Sequence, residues 1–241
     1  MNTSCKSSVF PVSRPGERGN AMIYVLIAIV LFGALTMIVA RQNENSETGS
    51  LDSERAGIAA TQIIQTSMQL KQGVDQMLYG GTNPDNLDFV TPDTEPAFSV
   101  GPSHVNKVFH PSGGGLVLQA LPVGAVDQIS NSPPARWYIG RFNNVEWTPT
   151  TEQEVIMVAH QISAPVCQAI NQILLGNPAP LITTANPRDI LIDDQLHGGV
   201  NTDFTVAGCA ACEGIVAACI QGPSEVPGET IRSFYSLILS R

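Results

Sequence analysis

Charged residues, and basic ones above all, are scarce in this chain of 241 residues. Lys and Arg number 12 against 21 Asp and Glu, which gives a formal net charge of −9. A chain so poor in basic residues lacks the positive surface on which nucleic-acid binding depends. Only 14% of the residues are charged and 43% are hydrophobic, which argues against disorder throughout. We therefore expect a folded protein that does not bind nucleic acid.

The sequence also lacks the common signatures of catalysis. It contains no G-x-S-x-G elbow, no Walker loop and no H-E-x-x-H array. The glycines of Ser112-Gly113-Gly114-Gly115 lack the Lys and the helix that follow in phosphate-binding loops. The four histidines, which we expect to be surface or capping residues, are His104, His110, His160 and His197. These absences predict a non-catalytic protein without a cofactor or a metal ion.

One run of residues is apolar enough to cross a membrane. The 20 residues Ala21–Ala40 contain no charged side chain. At about 1.5 Å per residue they reach the roughly 30 Å of a hydrocarbon core. A cleaved secretory signal has a shorter apolar region, about 7–15 residues, before a small-residue cleavage site. We therefore predict a transmembrane helix over residues 20–41, with residues 21–40 in contact with membrane lipid.

The charges on either side of this run predict its orientation. The leader, residues 1–19, carries Lys6, Arg14 and Arg18 against the single acid Glu17. The chain beyond Arg41 carries 8 basic and 20 acidic residues. Because the positive flank stays in the cytoplasm, we predict a single-pass protein of the inner (cytoplasmic) membrane, with its N-terminus in the cytoplasm and its C-terminal domain outside.

The junction of leader and helix resembles that of a known class. The leader ends in Glu17-Arg18-Gly19, and the apolar run starts with Asn20-Ala21-Met22. This is similar to the N-terminus of type IV pilins and pseudopilins, whose leader is cut after a glycine by a dedicated peptidase. The resemblance covers roughly the first 80 residues. It implies a processing site between Gly19 and Asn20. It also implies assembly with like or unlike subunits through the N-terminal helix.

One residue departs from that class. Pilins usually carry Glu at the fifth mature position, where it is associated with ordered assembly into the filament, and this chain has Tyr24 there. The layout also resembles that of bacterial single-pass membrane-anchored proteins whose activity is uncharacterised. That second resemblance supplies no activity.

The remainder of the chain predicts an α+β domain over residues 53–241. Residues 42–52 are polar and indicate a linker, after which Asp52 or Ser53 can cap a long amphipathic helix that ends at Gly80-Gly81. The apolar stripe of that helix needs a partner surface, and in pilin-like proteins the corresponding helix packs against an antiparallel sheet. The stripe comprises Ile63, Ile64, Leu70, Val74 and Met77.

Alternating and continuous apolar runs predict the strands of that sheet. Val105–Phe109 and Leu116–Ala120 flank a glycine-rich segment and indicate a hairpin. One short helix is predicted over Ala164–Leu175, with Pro165 in its first turn. Three further strands are predicted, at Arg136–Phe142, Glu154–Ala159 and Ile231–Leu239.

Four of the five cysteines lie beyond the membrane: Cys167, Cys209, Cys212 and Cys219. In an oxidising compartment four cysteines usually form two disulfides, for which three pairings exist. We favour Cys167, on the short helix, with Cys219, which lies just before the last strand, and Cys209 with Cys212. The other two pairings stay open.

Two other hypotheses compete for these cysteines. Cys209-Ala210-Ala211-Cys212 has the spacing of thiol–disulfide oxidoreductases, which place it where a helix begins after a strand. With Cys219 and a histidine it would supply four zinc ligands. No βαβ pattern precedes it, and no basic residue lies nearby in sequence to stabilise a thiolate. We therefore favour a non-catalytic, membrane-anchored extracytoplasmic structural or interaction protein, pilin-like or pseudopilin-like. The alternative is an extracytoplasmic thiol–disulfide oxidoreductase that uses Cys209 and Cys212.

Overall fold

The computed structural model describes residues 20–101 and 103–240. It divides the chain into two compact units, Met1–Ser50 and Leu51–Arg241. The leader and Gly19 of the predicted processing site lie outside the described residues, whereas Asn20 is the first residue of helix α1, Asn20–Tyr79. Residues 42–52, which the sequence indicates as a linker, fall within the bounds of α1.

The second unit is a mixed α+β domain, as predicted. Its sheet has five strands in the order β1-β2-β5-β4-β3, and every neighbouring pair is antiparallel except β3 and β4. This confirms the α+β class and the antiparallel character of the sheet. After α1 the elements are β1 (Trp137–Arg141), β2 (Val155–His160), α2 (Ala164–Leu175), β3 (Leu181–Ile182), α3 (Pro187–Leu191), β4 (Ala217–Pro223) and β5 (Thr230–Leu239).

Local sequence explains why α2 has the bounds predicted for it. Ser163 occupies the N-cap position in extended backbone, and Pro165 lies in the first turn, where its missing N–H is harmless. Gly176 follows the last turn with a φ of 71°, a left-handed conformation that glycine adopts without steric cost. The buried side of the helix carries Val166, Cys167 and Ile170.

Both faces of the sheet are covered. Every residue of β2 is buried, as expected for a nearly continuous apolar strand. Its Met157 faces one side, where α1 and α2 pack, and we call this the helix face. Its Ile156 and Val158 face the other side, the loop face, which is covered by α3 and by the segment around Phe204. The core therefore has two layers, one on each side of the sheet.

The hairpin predicted around the glycine-rich segment is wrong. His104–Asn106 forms a 3₁₀ turn, and Leu116–Ala120 belongs to no strand. The ammonium of Lys107 is buried and donates to the backbone carbonyls of Ala97, Phe98 and Val100 at 2.7, 2.8 and 2.9 Å. Gly113 and Gly114 pack against the carbonyls of Lys107 and Val108 so closely that a side chain would collide with them. The glycines thus serve a compact loop rather than a hairpin turn.

Candidate functional site

In the first unit, α1 presents an exposed apolar surface. Its large apolar side chains between residues 25 and 32 are from 51% to 73% exposed: Val25, Leu26, Ile27, Ile29, Val30, Leu31 and Phe32. A contiguous apolar surface of this kind is typical of segments that contact a membrane or another protein. Among the residues that the structure describes, no helix combines the length and the mean hydropathy required to cross a membrane.

In the second unit, the predicted stripe of α1 packs on the helix face of the sheet. Ile63 is fully buried in a cluster with Ala159 and Phe234. Farther along the helix, Val74 is buried in a cluster with Met157. Ile64, which the sequence places in the same stripe, is only half-buried. This half of α1 is therefore part of the core of the domain.

The four cysteines of the second unit form two disulfides, Cys167–Cys219 and Cys209–Cys212. The expectation of disulfide bonding is confirmed, and the pairs are those that the sequence favours. Cys167–Cys219 joins α2 to β4 across the helix face, with Cα atoms 5.4 Å apart. Asn171, also on α2, supports the same junction. Its side chain accepts from the Cys219 N–H at 2.7 Å and donates to the Cys219 carbonyl at 2.9 Å.

The Cys209–Cys212 disulfide closes a 3₁₀ turn, Ala210–Cys212, under the loop face of the sheet. Both side chains are buried, at 1% and 0% exposure. A catalytic disulfide must be reached by a substrate thiolate and usually precedes a helix. Here a turn follows instead, and then β4 begins at Ala217. The zinc hypothesis needs Cys219 beside this pair, whereas Cys219 is bonded to Cys167.

A buried polar cluster lies on the loop face, where the ends of β2 and β5 meet. His160 is fully buried, and its Nδ1 forms a 2.9 Å hydrogen bond with the hydroxyl of Ser233 on β5. Its Nε2 is also buried and has no hydrogen-bond partner among the described residues. Burial lowers the pKa of His160 from its ordinary value of 6.5 to about 3, although the nearby Glu225 carboxylate opposes this change. The imidazole is therefore neutral at neutral pH.

Arg188, on α3, connects this cluster to the loop that precedes β1. It donates to the Asp189 carboxylate at 3.1 Å and to the Ser132 carbonyl at 2.7 Å, and it pairs with Glu225 at 3.4 Å. Burial would raise the pKa of Glu225, but hydrogen bonds with Ser130, its own backbone and Asn186, together with the charge of Arg188, lower it overall. The Arg188–Glu225 pair is therefore ionised and holds separate loops together.

His197 completes the cluster. Its Nδ1 accepts from the Gly199 N–H at 3.0 Å, and its Nε2 donates to the Ile192 carbonyl at 3.0 Å. The expectation that the histidines are surface or capping residues is wrong for His160, which is fully buried, whereas His197 occupies the C-cap position of the 3₁₀ turn Asp194–Leu196. His104 and His110 are half-buried instead and stack on each other with ring centroids 4.3 Å apart.

Outside the polar cluster, the surface of the second unit has hollows. In the described part of the chain, no three residues among His, Cys, Asp and Glu lie close enough together to bind a metal ion. A hollow of about 390 Å³ beside β3 is lined by ten residues, of which four are threonines and one, Asp203, is titratable. A groove of about 570 Å³ beside the start of the second unit is lined by apolar residues, by Gln62 and Ser163, and by the Asp52–Arg55 ion pair.

Comparison of the chain with protein-family models, with curated proteins and with solved structures finds no match. The geometry described above is therefore the basis for a functional proposal.

Proposed function

We propose that this protein is a non-catalytic, membrane-anchored structural or interaction protein with an extracytoplasmic domain, and that it belongs to a pilin-like or pseudopilin-like surface assembly. One observation carries the proposal. Helix α1 has exposed apolar side chains from Val25 to Phe32 and, farther along, a stripe that is buried against an antiparallel-rich sheet. A helix that anchors the chain in a membrane at its start and packs on a domain farther along must change in this way, from exposed apolar side chains to a buried apolar stripe.

The disulfides support an extracytoplasmic location for the domain. Disulfides persist in oxidising compartments and are rare in the cytosol. Cys167–Cys219 encloses a long loop, with a sequence separation of 52, which is typical of a structural bond. The burial of Cys209 and Cys212 is also that of structural sulfur atoms.

In this proposal, residues 1–19 are a cytoplasmic leader that is cut between Gly19 and Asn20, residues 20–41 cross the inner membrane, and residues 53–241 lie outside. The helix before the domain also serves as the surface for assembly with like or unlike subunits.

The location can be tested in intact cells. Protease added to spheroplasts should digest the C-terminal domain, and carbonate washing should leave the chain in the membrane fraction. N-terminal sequencing from a host with a prepilin peptidase should start at Asn20. A chain released by carbonate, or a domain protected from protease until the membrane is broken, would contradict the proposal.

Alkylation separates the structural role from the oxidoreductase alternative. A maleimide should label none of the four outer cysteines in the native, non-reduced protein, because each sulfur is bonded and buried. Incubation with a glutathione redox buffer should leave Cys209 and Cys212 unlabelled as well. Rapid exchange of this pair with glutathione, with the fold intact, would favour the oxidoreductase.

A further inference from the structure

The two edges of the five-stranded sheet differ in how they are protected. At one edge, β3 has only two residues, and the chain beyond it is held at Thr184, whose N–H donates to the Gly208 carbonyl at 2.9 Å. At the other edge lies β1, with five residues and one neighbour, β2. It contains no Pro and no Lys, the residues with which proteins usually protect an exposed edge.

The register of β1 shows which backbone groups face outward. Along an antiparallel strand, the backbone N–H and carbonyl groups of one residue bond the neighbouring strand, and those of the next residue point away from it. The His160 N–H donates to the Arg136 carbonyl, so the next residues bonded to β2 are Tyr138 and Gly140. The backbone N–H and carbonyl groups of Trp137, Ile139 and Arg141 therefore point away from β2. Within the described residues, no hydrogen bond reaches the backbone N–H or carbonyl of these three.

We propose that this edge binds β1 of a second copy of the chain, antiparallel and around a two-fold axis at Ile139. In this register Ile139 pairs with Ile139, and Trp137 pairs with Arg141 of the second copy. All three outward-facing positions are then used, and because each such pair exchanges two bonds, the junction forms about six backbone hydrogen bonds. Two five-stranded sheets would become one continuous sheet.

The charges of the strand fit this partner. The chain is acidic overall, so a second copy is repelled over most of its surface, but β1 is flanked by Arg136 and carries Arg141 at its end. Like charges directly opposite each other would destabilise a strand pair. In the proposed register Arg141 lies opposite Trp137 and Arg136 lies opposite Phe142, so no two arginines face each other directly, and the Arg141 guanidinium is already bound to the Leu87 and Pro84 carbonyls of its own chain. The edge can therefore pair with itself without opposing like charges.

This interface is separate from the assembly through α1 and does not depend on the membrane anchor. Cysteine cross-linking at a chosen residue distinguishes the two, since a bond at residue 139 reports only on the β1 edge. The full-length chain is used, with Cys5→Ser so that the leader contributes no thiol. Ile139→Cys is compared with Ile182→Cys, which lies on the opposite edge and is 61% exposed.

Under copper–phenanthroline oxidation, Ile139→Cys should form a disulfide-linked dimer at least about tenfold faster than Ile182→Cys, because facing Cα atoms in a bonded pair are about 5.5 Å apart. A second measurement tests the register and does not rely on Ile139→Cys folding. Chains with Trp137→Cys and chains with Arg141→Cys should cross-link when mixed. Each alone should not, because identical residues then lie about 13 Å apart.

Three results would overturn the proposal. The first is equal cross-linking at residues 139 and 182. The second is cross-linking of Trp137→Cys chains alone as fast as of the mixture. The third is capture of a different host protein by Ile139→Cys with no dimer of this chain, which would assign the edge to another partner.

Discussion

Acidification should destabilise the domain through one buried histidine. His160 is fully buried, its Nδ1 forms a hydrogen bond with Ser233, and its Nε2 has no partner in the part of the chain that the structure describes. Burial lowers its pKa from 6.5 to about 3. In the unfolded chain the same imidazole is in water and binds a proton near pH 6.5. Between these two values the unfolded state holds more protons than the folded state does.

The sign and the size of the effect follow from this difference in proton binding. Stability rises with pH wherever the unfolded state binds more protons, so the neutral imidazole favours folding above about pH 6.5 and opposes it as the pH falls toward 3. A change of one pKa unit is worth about 1.4 kcal/mol. Acidification from about pH 7.5 to about pH 5 should therefore cost about 2 kcal/mol, before most carboxylates protonate.

The measurement is urea unfolding of residues 51–241 at these two pH values, compared with the same measurement on His160→Gln. The variant should lose about 2 kcal/mol of the pH dependence, whatever its absolute stability. His110→Gln is the matched control. Burial and the charges of His104 and Lys107 also lower the pKa of His110, but less than burial lowers that of His160, so this variant should retain most of the pH dependence of the parent. If His160→Gln and the parent respond equally to pH, His160 is not the buried neutral group that the structure describes.

Three further predictions concern packing and cross-links. Ile63→Asp should unfold the fragment of residues 51–241, because an unpaired buried charge costs several kcal/mol. Ile64→Asp, at the half-buried position, should leave the fragment folded in a urea titration. Equal losses of unfolding free energy in the two variants would contradict the packing. Removing Cys167–Cys219 should cost about 4 kcal/mol and removing Cys209–Cys212 about 2 kcal/mol on the loop-entropy model. Equal shifts in Tm for the two pairs would contradict this. Lys107→Met should cost about 2–3 kcal/mol and increase proteolysis at residues 97–100, because the carbonyls of Ala97, Phe98 and Val100 lose a charged donor. An unchanged digest would contradict this.

Elements with strong local signals could be predicted from the sequence. Helix α2 has a Pro in its first turn and a Gly after its last, and both act through the backbone of the helix itself. Strands β1, β2 and β5 were predicted to within one residue at each end, because runs of β-branched and aromatic side chains favour extended backbone. The stripe on α1 follows from helical spacing alone, although that spacing could not separate Ile63 from its half-buried neighbour.

Elements whose stability is tertiary could not be predicted in this way. Strand β4 reads Ala-Ala-Cys-Ile-Gln-Gly-Pro, a composition with little preference for a strand. It is extended because it pairs with residues 230–236 of β5 and because its Cys219 is held by the disulfide and by Asn171. Residues 104–115 fail for a related reason. The buried ammonium of Lys107 organises the loop there, and no local pattern shows that a lysine will be buried.

The polar cluster around His160 also could not be predicted from local sequence. Its members lie on β2, on α3 and in the loop after β4, and they meet only when β2 pairs with β5. The sequence around a single histidine at the end of an apolar strand does not indicate these contacts. Yet burying Arg188 and Glu225 without each other would cost several kcal/mol, so α3 and the loop after β4 must come together. The cluster therefore stabilises the native arrangement of the loop face, as the Cys167–Cys219 disulfide does for the helix face. With its two faces fixed in this way, the domain can present β1 as a rigid edge.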